Sequence, residues 1–376
     1  MSPLLVWLAG VPWDGIRGTD RHLVTALAAD CRVLWVDPPR SLLRAGRPTV
    51  SVSDTEVASV TRMRTVGPPG PDRVGIDVLT YALLGRALQR TVPRVASRGM
   101  PVVLVSTSPH PPLDLIGSAH RIYYPTDDFV AGASLMRKSP GRIAALEARR
   151  VQEADRVGAV SQLILDRLGV PRSPSFVLPN GCDPVAYAGV DGLPPHPEVR
   201  LRGPVAGMVG QISPRVDLAL LEGVVGSGLS LLLVGPHQPD FEPERVEALV
   251  AHPNVQWVGQ RRFEELPAFL GSIDVGLTPY VVDEFNRASF PLKTLEYLSA
   301  GRPVVSTPLP GADLLACPWV SQAGDAAGFV DEIHRAVSRR DDRDAIRGFA
   351  ADHSWSSRAA EFLRVSGIER PYASPR

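Results

Sequence analysis

Two ionisable side chains one helical turn apart, Lys293 and Glu296, give this chain its clearest chemical signal. They lie in residues 290–305, FPLKTLEYLSAGRPVV, which read as loop, helix, tight stop and buried strand. Pro291 suits the first helical position, where its missing N–H costs nothing. Gly301 stands where a left-handed C-cap belongs, and Pro303 blocks continuation. Lys293 and Glu296 are three apart and share one helix face. Lys293 also falls in the first turn, where unpaired N–H groups and the helix dipole favour an anion. An ammonium beside those donors fits a diphosphate, and a carboxylate one turn on fits the vicinal hydroxyls of a ribose. The spacing points to a nucleoside diphosphate such as that of an activated sugar. The plain alternative is an i,i+3 ion pair on the surface of an ordinary helix. Of 40 basic residues only Lys138 and Lys293 are lysine. Where a compact point charge is needed, lysine and arginine are not interchangeable.

These residues need a scaffold, and the chain is long enough for two domains at 376 residues. Apolar content of 44% supports full cores, and 21% charged is ordinary. Zero formal net charge without a long basic run speaks against nucleic acid as the main partner. The N-terminal apolar run lacks a basic lead and is too short to span a bilayer, so it reads as a first buried strand. Cys31, Cys182 and Cys317 are scattered without metal-ligand spacing, which suggests a reducing, cytoplasmic setting. Peripheral membrane contact through the first domain stays open, although no strongly basic amphipathic helix demands it.

Strands alternating with helices predict an α/β chain with parallel, doubly wound sheets. In the first half, strands are expected at 4–9, 31–36, 49–52, 56–65, 101–106, 121–124, 154–160 and 175–178. Helices are expected from about 19, over 81–91 with a stop at Pro93, and over 143–153 and 161–168. Arg62 and Arg64 are expected to be solvated. The stretch 184–203, irregular and rich in Gly and Pro, reads as a linker. In the second half, strands are expected at 204–209, 229–234, 255–258, 275–279 and 304–307, with helices between them. Helices over 324–338, 342–352 and 355–365 close the chain. The expected domains are residues 1–185 for an acceptor, 186–350 for a donor, and 351–376 as a helix and tail packing back on the first domain.

Ligands of doubly wound folds sit beyond the carboxyl ends of the strands. The loops there begin at Gly210, Gly235 and Gly259, with Gln211, Arg215 and Arg261 close behind and a further loop reaching Asn286. Each glycine alone is explained by a turn. Three of them after three strands, beside the Lys293 helix, suit backbone approach to an anion.

Residues 259–279 with the motif Pro291, Lys293, Glu296, Tyr297 resemble the donor half of GT-B-fold glycosyltransferases. They are most similar to a bacterial group with a P-x-K-x-x-E-Y signature that includes teichuronic-acid-type and xanthan glucuronosyltransferase-like enzymes. Trp13 with Arg21, His22 and Leu23, the run Val36 to Arg40, Tyr123 to Asp128, and Pro179 to Asp183 extend the likeness into the first half. The resemblance implies a GT-B fold of two facing Rossmann-like domains with an interdomain cleft, and sugar transfer from a nucleoside-diphosphate sugar to a hydroxyl or amine. The acceptor would be a natural product or a polysaccharide or lipid-linked glycan. It also implies roles: Glu296 on the ribose, Lys293 on a phosphate, the Gly259–Arg262 loop on the nucleobase, Asn286 toward the sugar, and Gly210 to Arg215 along the diphosphate. Many retaining members carry a glutamate eight positions before the ribose glutamate. Here that position is Ala288, so the anomeric outcome is open.

An inverting transfer needs a base for the acceptor hydroxyl. Asp127 is the first candidate, Asp128 the second and His22 the third; Arg17, Arg21, Asp37, His110 and His237 are weaker. Asp127 or Asp128 could equally be an N-cap, and His22 a structural hydrogen bonder. No carboxylate cluster suggests a metal, and no cofactor is expected, since Lys293, Arg215 and helix N-termini can neutralise a leaving diphosphate. A nucleotide-sugar 2-epimerase, a non-catalytic two-domain binding protein and a scaffold without turnover are the rival expectations.

Overall fold

The computed structural model describes residues 2–368 apart from 16, 46–48, 118, 172–173 and 340–341. The chain forms two compact units, Met1–Pro179 with Trp355–Arg376, and Asn180–Ser354.

The first unit holds strands Leu4–Leu8 (β1), Arg32–Val36 (β2), Arg40–Ser41 (β3), Val50–Asp54 (β4), Val60–Gly67 (β5), Val102–Ser106 (β6), His120–Tyr123 (β7), Arg156–Ala159 (β8) and Phe176–Val177 (β9). Their order is β3-β5-β2-β1-β6-β7-β8-β9, with β4 beside β5. Only β4 runs antiparallel to its neighbour among these pairs. All five residues of β1, LLVWL, are buried, as a strand covered on both faces requires. The order turns between β1 and β6, which makes this the switch point of the sheet. The last helix, Trp355–Val365, packs on the first, Thr19–Leu27. Phe362 fills the space between Trp7 and Tyr124, with ring centroids 5.8 and 6.0 Å away.

The second unit is a six-stranded sheet: Val205–Val209 (β10), Ser230–Val234 (β11), Val255–Trp257 (β12), Val275–Thr278 (β13), Val304–Ser306 (β14) and Val320–Gln322 (β15). The order β12-β11-β10-β13-β14-β15 is parallel throughout and turns between β10 and β13. Its core joins Leu231, Leu233 and Val275 to Leu221, Phe329 and Ile333 from the helices Leu218–Gly226 and Ala326–Ser338.

Four expectations change. The helix expected to stop at Pro93 spans Ile76–Val95. Pro93 and Gln89, whose carbonyl loses its helical donor, are both exposed, so water can replace the missing bond. Arg62 is not solvated: it is 6% exposed and grips Asp37 at 2.6 and 2.9 Å. The expected linker 184–203 lies within the second unit, with Asp183 capping helix Pro184–Tyr187 through bonds from Val185 and Ala186. Asp191 is tied there to Arg302 at 2.8 Å, to Arg347 at 2.6 Å and to Arg343. The chain instead passes between units at 179–180 and 354–355. Strand β15 and the short helices Glu284–Ala288 and Pro310–Leu315 were too short for periodicity to reveal.

Candidate functional site

The second unit's switch point is built from glycines and one tyrosine. Gly210, Gly235 and Gly259 follow β10, β11 and β12, and hydrogen bonds stitch their loops together: Gly210 N–H to Val234 O at 2.9 Å, Gly235 N–H to Gly259 O at 2.8 Å. Gly235 has φ +144°, and a Cβ there would stand 1.9 Å from the Gly210 carbonyl oxygen. Only glycine fits. Gly259, with φ +71°, makes the turn out of its strand.

On the other side of the switch point, β10 and β13 pair only at Ala206–Val275 and Gly207–Gly276. In that register the next ladder bond would join Val209 N–H to Leu277 O. Tyr297 takes its place: its Oη accepts from Val209 N at 2.6 Å and donates to Leu277 O at 3.3 Å. Burial raises the phenol's pKa well above its usual value, so it stays a donor. The ring lies against Gly276, where a Cβ would meet Tyr297 Cγ at 2.3 Å. Tyr297 thereby separates two strand ends directly ahead of Gly210.

Tyr297 also fixes the helix that carries the two charged residues, Leu292–Ser299. Pro291 is its N-cap, one position earlier than expected, which leaves Lys293 in the first turn. Gly301, at φ +72°, ends it: Gly301 N–H bonds Leu298 O and Arg302 N–H bonds Tyr297 O, both at 2.9 Å. This is a Schellman closure. Lys293 Nζ lies 2.7 Å from Glu296 Oε2, with the carboxylate side chain 6% exposed and the lysine 24%. The i,i+3 pair therefore exists, but its acid is buried rather than solvated.

The remaining donor-side candidates divide. Arg215 Nε donates to Asn286 Oδ1 at 3.0 Å, and the guanidinium lies over the Phe285 and Tyr280 rings at 4.7 and 5.4 Å. Asn286 is 1% exposed, and its amide donates to Val281 O at 2.9 Å. Expected toward the sugar, its side chain is instead buried and braces the Arg215 loop. Gln211 is exposed beside Gly210. Arg261 is drawn aside by Glu198 at 2.5 Å and by Phe269 beneath it at 5.3 Å. His237 is occupied by the Phe241 carbonyl at 2.6 Å.

In the first unit the structure separates Asp127 from Asp128. Asp128 is 5% exposed; one oxygen accepts from Val130 and Ala131 N–H and the other from Arg167 Nε at 2.8 Å. It is a cap and an ion-pair member, which removes it as a base. Arg167 also holds Glu147 at 2.6 Å. Asp127 is half-buried in the loop after β7. His22 stacks on Trp355 at 5.5 Å and 2° between planes, a packing role between the first and last helices. Asp37 accepts from Trp13 N, Trp35 Nε1 and Arg62, so it is fully used. Arg21 is held by Trp13 O at 2.6 Å and by Glu56.

Asp20 was missed by sequence reasoning. It sits in the first turn of helix Thr19–Leu27 at the carboxyl ends of β1 and β6, accepting from Gly10 N at 3.2 Å and Thr107 Oγ1 at 2.7 Å. Burial pushes its carboxyl up to about 6 against those lowering bonds. A Gly-Thr-Asp helix start reads as ordinary capping, so no pattern singled it out. Among the described residues no group of three or more His, Cys, Asp or Glu could hold a metal, and no helix is long and apolar enough to cross a membrane.

Residues 207–339 match the family described as Glycosyl transferases group 1. The matched stretch contains the three glycine loops and the Lys293 helix. The chain is 27% identical over 241 residues to TuaH of Bacillus subtilis strain 168, named as a teichuronic acid biosynthesis glycosyltransferase, covering 61% of this chain and 60% of that protein. The match thus spans less than two thirds of the relative's length. Among solved structures, sucrose-phosphate synthase from Thermosynechococcus elongatus aligns over 98% of this chain and 99% of its own, with a TM-score of 0.71 and 18% identity. Anabaena HepE with UDP aligns over 98% and 100%, at 0.70 and 14%. A trehalose-phosphate synthase of Burkholderia xenovorans with glucose-6-phosphate aligns over 97% and 100%, at 0.72 and 14%. The fold is GT-B, with two Rossmann-like domains.

Proposed function

We propose that the protein transfers a sugar from a nucleoside-diphosphate sugar to a small-molecule or glycan acceptor. One observation carries this. Lys293 and Glu296, one turn apart, are pinned through Tyr297 to the strand end that opens into Gly210, inside the stretch that matches Glycosyl transferases group 1. Lys293 would take a phosphate, Glu296 the ribose hydroxyls, and the backbone at Gly210 and Gly235 the rest of the diphosphate. Arg215, braced by Asn286, would add charge beside them. The two side chains neutralise each other at 2.7 Å; a nucleotide would give each a stronger partner. The reading needs no metal, because the ammonium and oriented N–H groups stabilise the leaving diphosphate. UDP in HepE and UDP-2-fluoro glucose in an Escherichia coli trehalose-6-phosphate protein support a uridine donor. Asp127 is our candidate for the acceptor base, now without Asp128 or His22 beside it.

A thermal-shift series with UDP, GDP, dTDP and ADP tests this. The right nucleotide at 100 times its Kd should stabilise the fold by about 2.7 kcal/mol. Lys293→Ala and Glu296→Ala should each abolish that shift and transfer while keeping the fold. Full turnover in both variants would refute the assignment. Product formation that does not depend on an added acceptor would point to the epimerase instead.

A further inference from the structure

Helix Ile76–Val95 of the first unit buries one face and leaves the other unpartnered. Tyr81, Leu84, Leu88 and Val92 hold the inner face in the core. On the outer face, Val78, Leu79, Leu83, Arg86, Arg90 and Arg94 are all exposed. At 3.6 residues per turn these six fall on one arc of about 160°, with about 24 Å between the first and the last along the axis. Between them on that arc lie only Ala82, Gln89 and Pro93.

The arc holds no acid. The one acid of the helix, Asp77, is bound by Arg142 at 2.8 Å, and the next acid along the chain is Asp114. Arg98, four residues past Arg94, continues the basic series just beyond the helix. Among the described residues, Arg86, Arg90, Arg94 and Arg98 form no ion pair and no side-chain hydrogen bond. Elsewhere in the same unit, Arg62, Arg121 and Arg167 are each held by a carboxylate. The amino end of the helix is apolar instead. Val74, just ahead of the Gly75 cap, is 79% exposed, Val78 73%, Leu79 52% and Leu83 39%. Single exposed apolar side chains are ordinary, but four at one helix end form a patch.

This face depends on where the helix begins and ends. A helix confined to 81–91 would show only Leu83, Arg86 and Arg90 of the set. The earlier start adds Val78 and Leu79, and continuation through exposed Pro93 adds Arg94. Periodicity that stopped at the proline therefore hid the basic, apolar-ended face.

Charge complementarity decides what covers it. Unpaired guanidiniums call for anions, and the neighbouring leucine and valines gain from leaving water. Nucleic acid would satisfy the arginines and leave the apolar end wet. A second copy of the face would add four more unpaired arginines and no acid. A bilayer with anionic headgroups offers phosphates and an acyl boundary along one plane. We propose that this face of Ile76–Val95 docks the protein on the surface of an anionic lipid bilayer. Val78, Leu79 and Leu83 enter the headgroup boundary, and the arginines lie on phosphates with their aliphatic stems against the apolar layer. Contact is along the surface, since among the described residues no helix is long and apolar enough to cross a membrane. The inference goes beyond sugar transfer and does not rest on it.

The test is co-sedimentation of the full chain with vesicles of phosphatidylcholine alone and of phosphatidylcholine mixed equally with phosphatidylglycerol. Binding to the mixed vesicles is expected, weakening as salt rises. An arginine near an anionic surface is worth about 1 kcal/mol, so the double variant Arg86→Gln, Arg90→Gln should bind roughly 30-fold more weakly. The double variant Leu79→Ser, Leu83→Ser should lose about tenfold. All four positions are exposed, so both variants should keep the wild-type melting temperature. Arg245→Gln serves as control: it removes an exposed arginine of the second unit that is paired with Glu222, and binding should not change. Absence of binding to the mixed vesicles at low salt overturns the proposal, as does binding unchanged in both double variants. Tighter binding to duplex DNA than to vesicles, or a dimer that the Leu79→Ser, Leu83→Ser variant dissociates, also overturns it.

Discussion

Replacing Tyr297 by phenylalanine removes one oxygen from the second unit and tests how its switch point is held open. That oxygen bridges Val209 N–H and Leu277 O at 2.6 and 3.3 Å. Phenylalanine keeps the ring against Gly276, so no cavity forms. The loss is confined to a buried donor and a buried acceptor, and a buried group left unsatisfied costs about 1–3 kcal/mol. Each kcal/mol shifts the melting temperature of a domain this size by about 2–4 °C, so a fall of roughly 2–12 °C is expected. UDP affinity should fall as well. The Val209 N–H, freed of its partner, is one residue from Gly210, and the Lys293 helix loses its polar tie to β10. Differential scanning calorimetry with and without UDP reads both effects. A variant that matches wild type in melting temperature and in UDP-induced shift would refute the bridging role. One that recovers the melting temperature but not the UDP shift would mean the strands have closed their ladder and narrowed the crevice.

Gly235→Ala should destabilise the second unit and abolish nucleotide-induced stabilisation. Its Cβ would fall 1.9 Å from a backbone oxygen, and circular dichroism melting with and without UDP checks it. Asp20→Asn should change how stability depends on pH. A carboxyl raised from 3.8 to about 6 in the folded state adds stability below pH 3.8 that is lost as pH rises to 6, about 3 kcal/mol in all. The melting temperature of the variant minus that of wild type should therefore increase from pH 4 to pH 7; a flat difference would refute it. Arg62→Ala should cost several kcal/mol, because it leaves buried Asp37 charged without its guanidinium. Urea unfolding of the variant measures that loss.

Much of this molecule is legible in its sequence where one residue answers to one local rule. The buried strands show as apolar runs, the Lys293 helix as a capped amphipathic segment, and the glycine loops as turn signals. Residues defined by long-range partners are not legible. Arg62 and Asp37 are 25 positions apart and meet only because β2 and β5 pair. Asp20 meets Thr107 across 87 positions. The irregular stretch after Asp183 gave no periodic signal, and its place in the second unit is set by Asp191 and three distant arginines. The family resemblance places Asn286 toward the sugar. Its actual partners, Arg215 and Val281, could be found only by folding the chain.

Tyr297 shows why one turn of helix can hold chemistry in place. A lysine and a glutamate three apart occur on many surface helices, and there such a pair contributes a few tenths of a kcal/mol. What distinguishes this pair is the next residue. Tyr297 inserts its hydroxyl where a ladder bond belongs, between the two strands at which the sheet reverses order. One contact therefore spreads the strand ends, aims Val209 into Gly210, and fixes the rotation of the helix that carries Lys293 and Glu296. A tyrosine on the sheet face that made no polar contact would orient the helix less tightly and leave the ladder free to close. Pro291, Lys293, Glu296 and Tyr297 thus combine a helix start and two charged side chains with the residue that docks them onto the sheet.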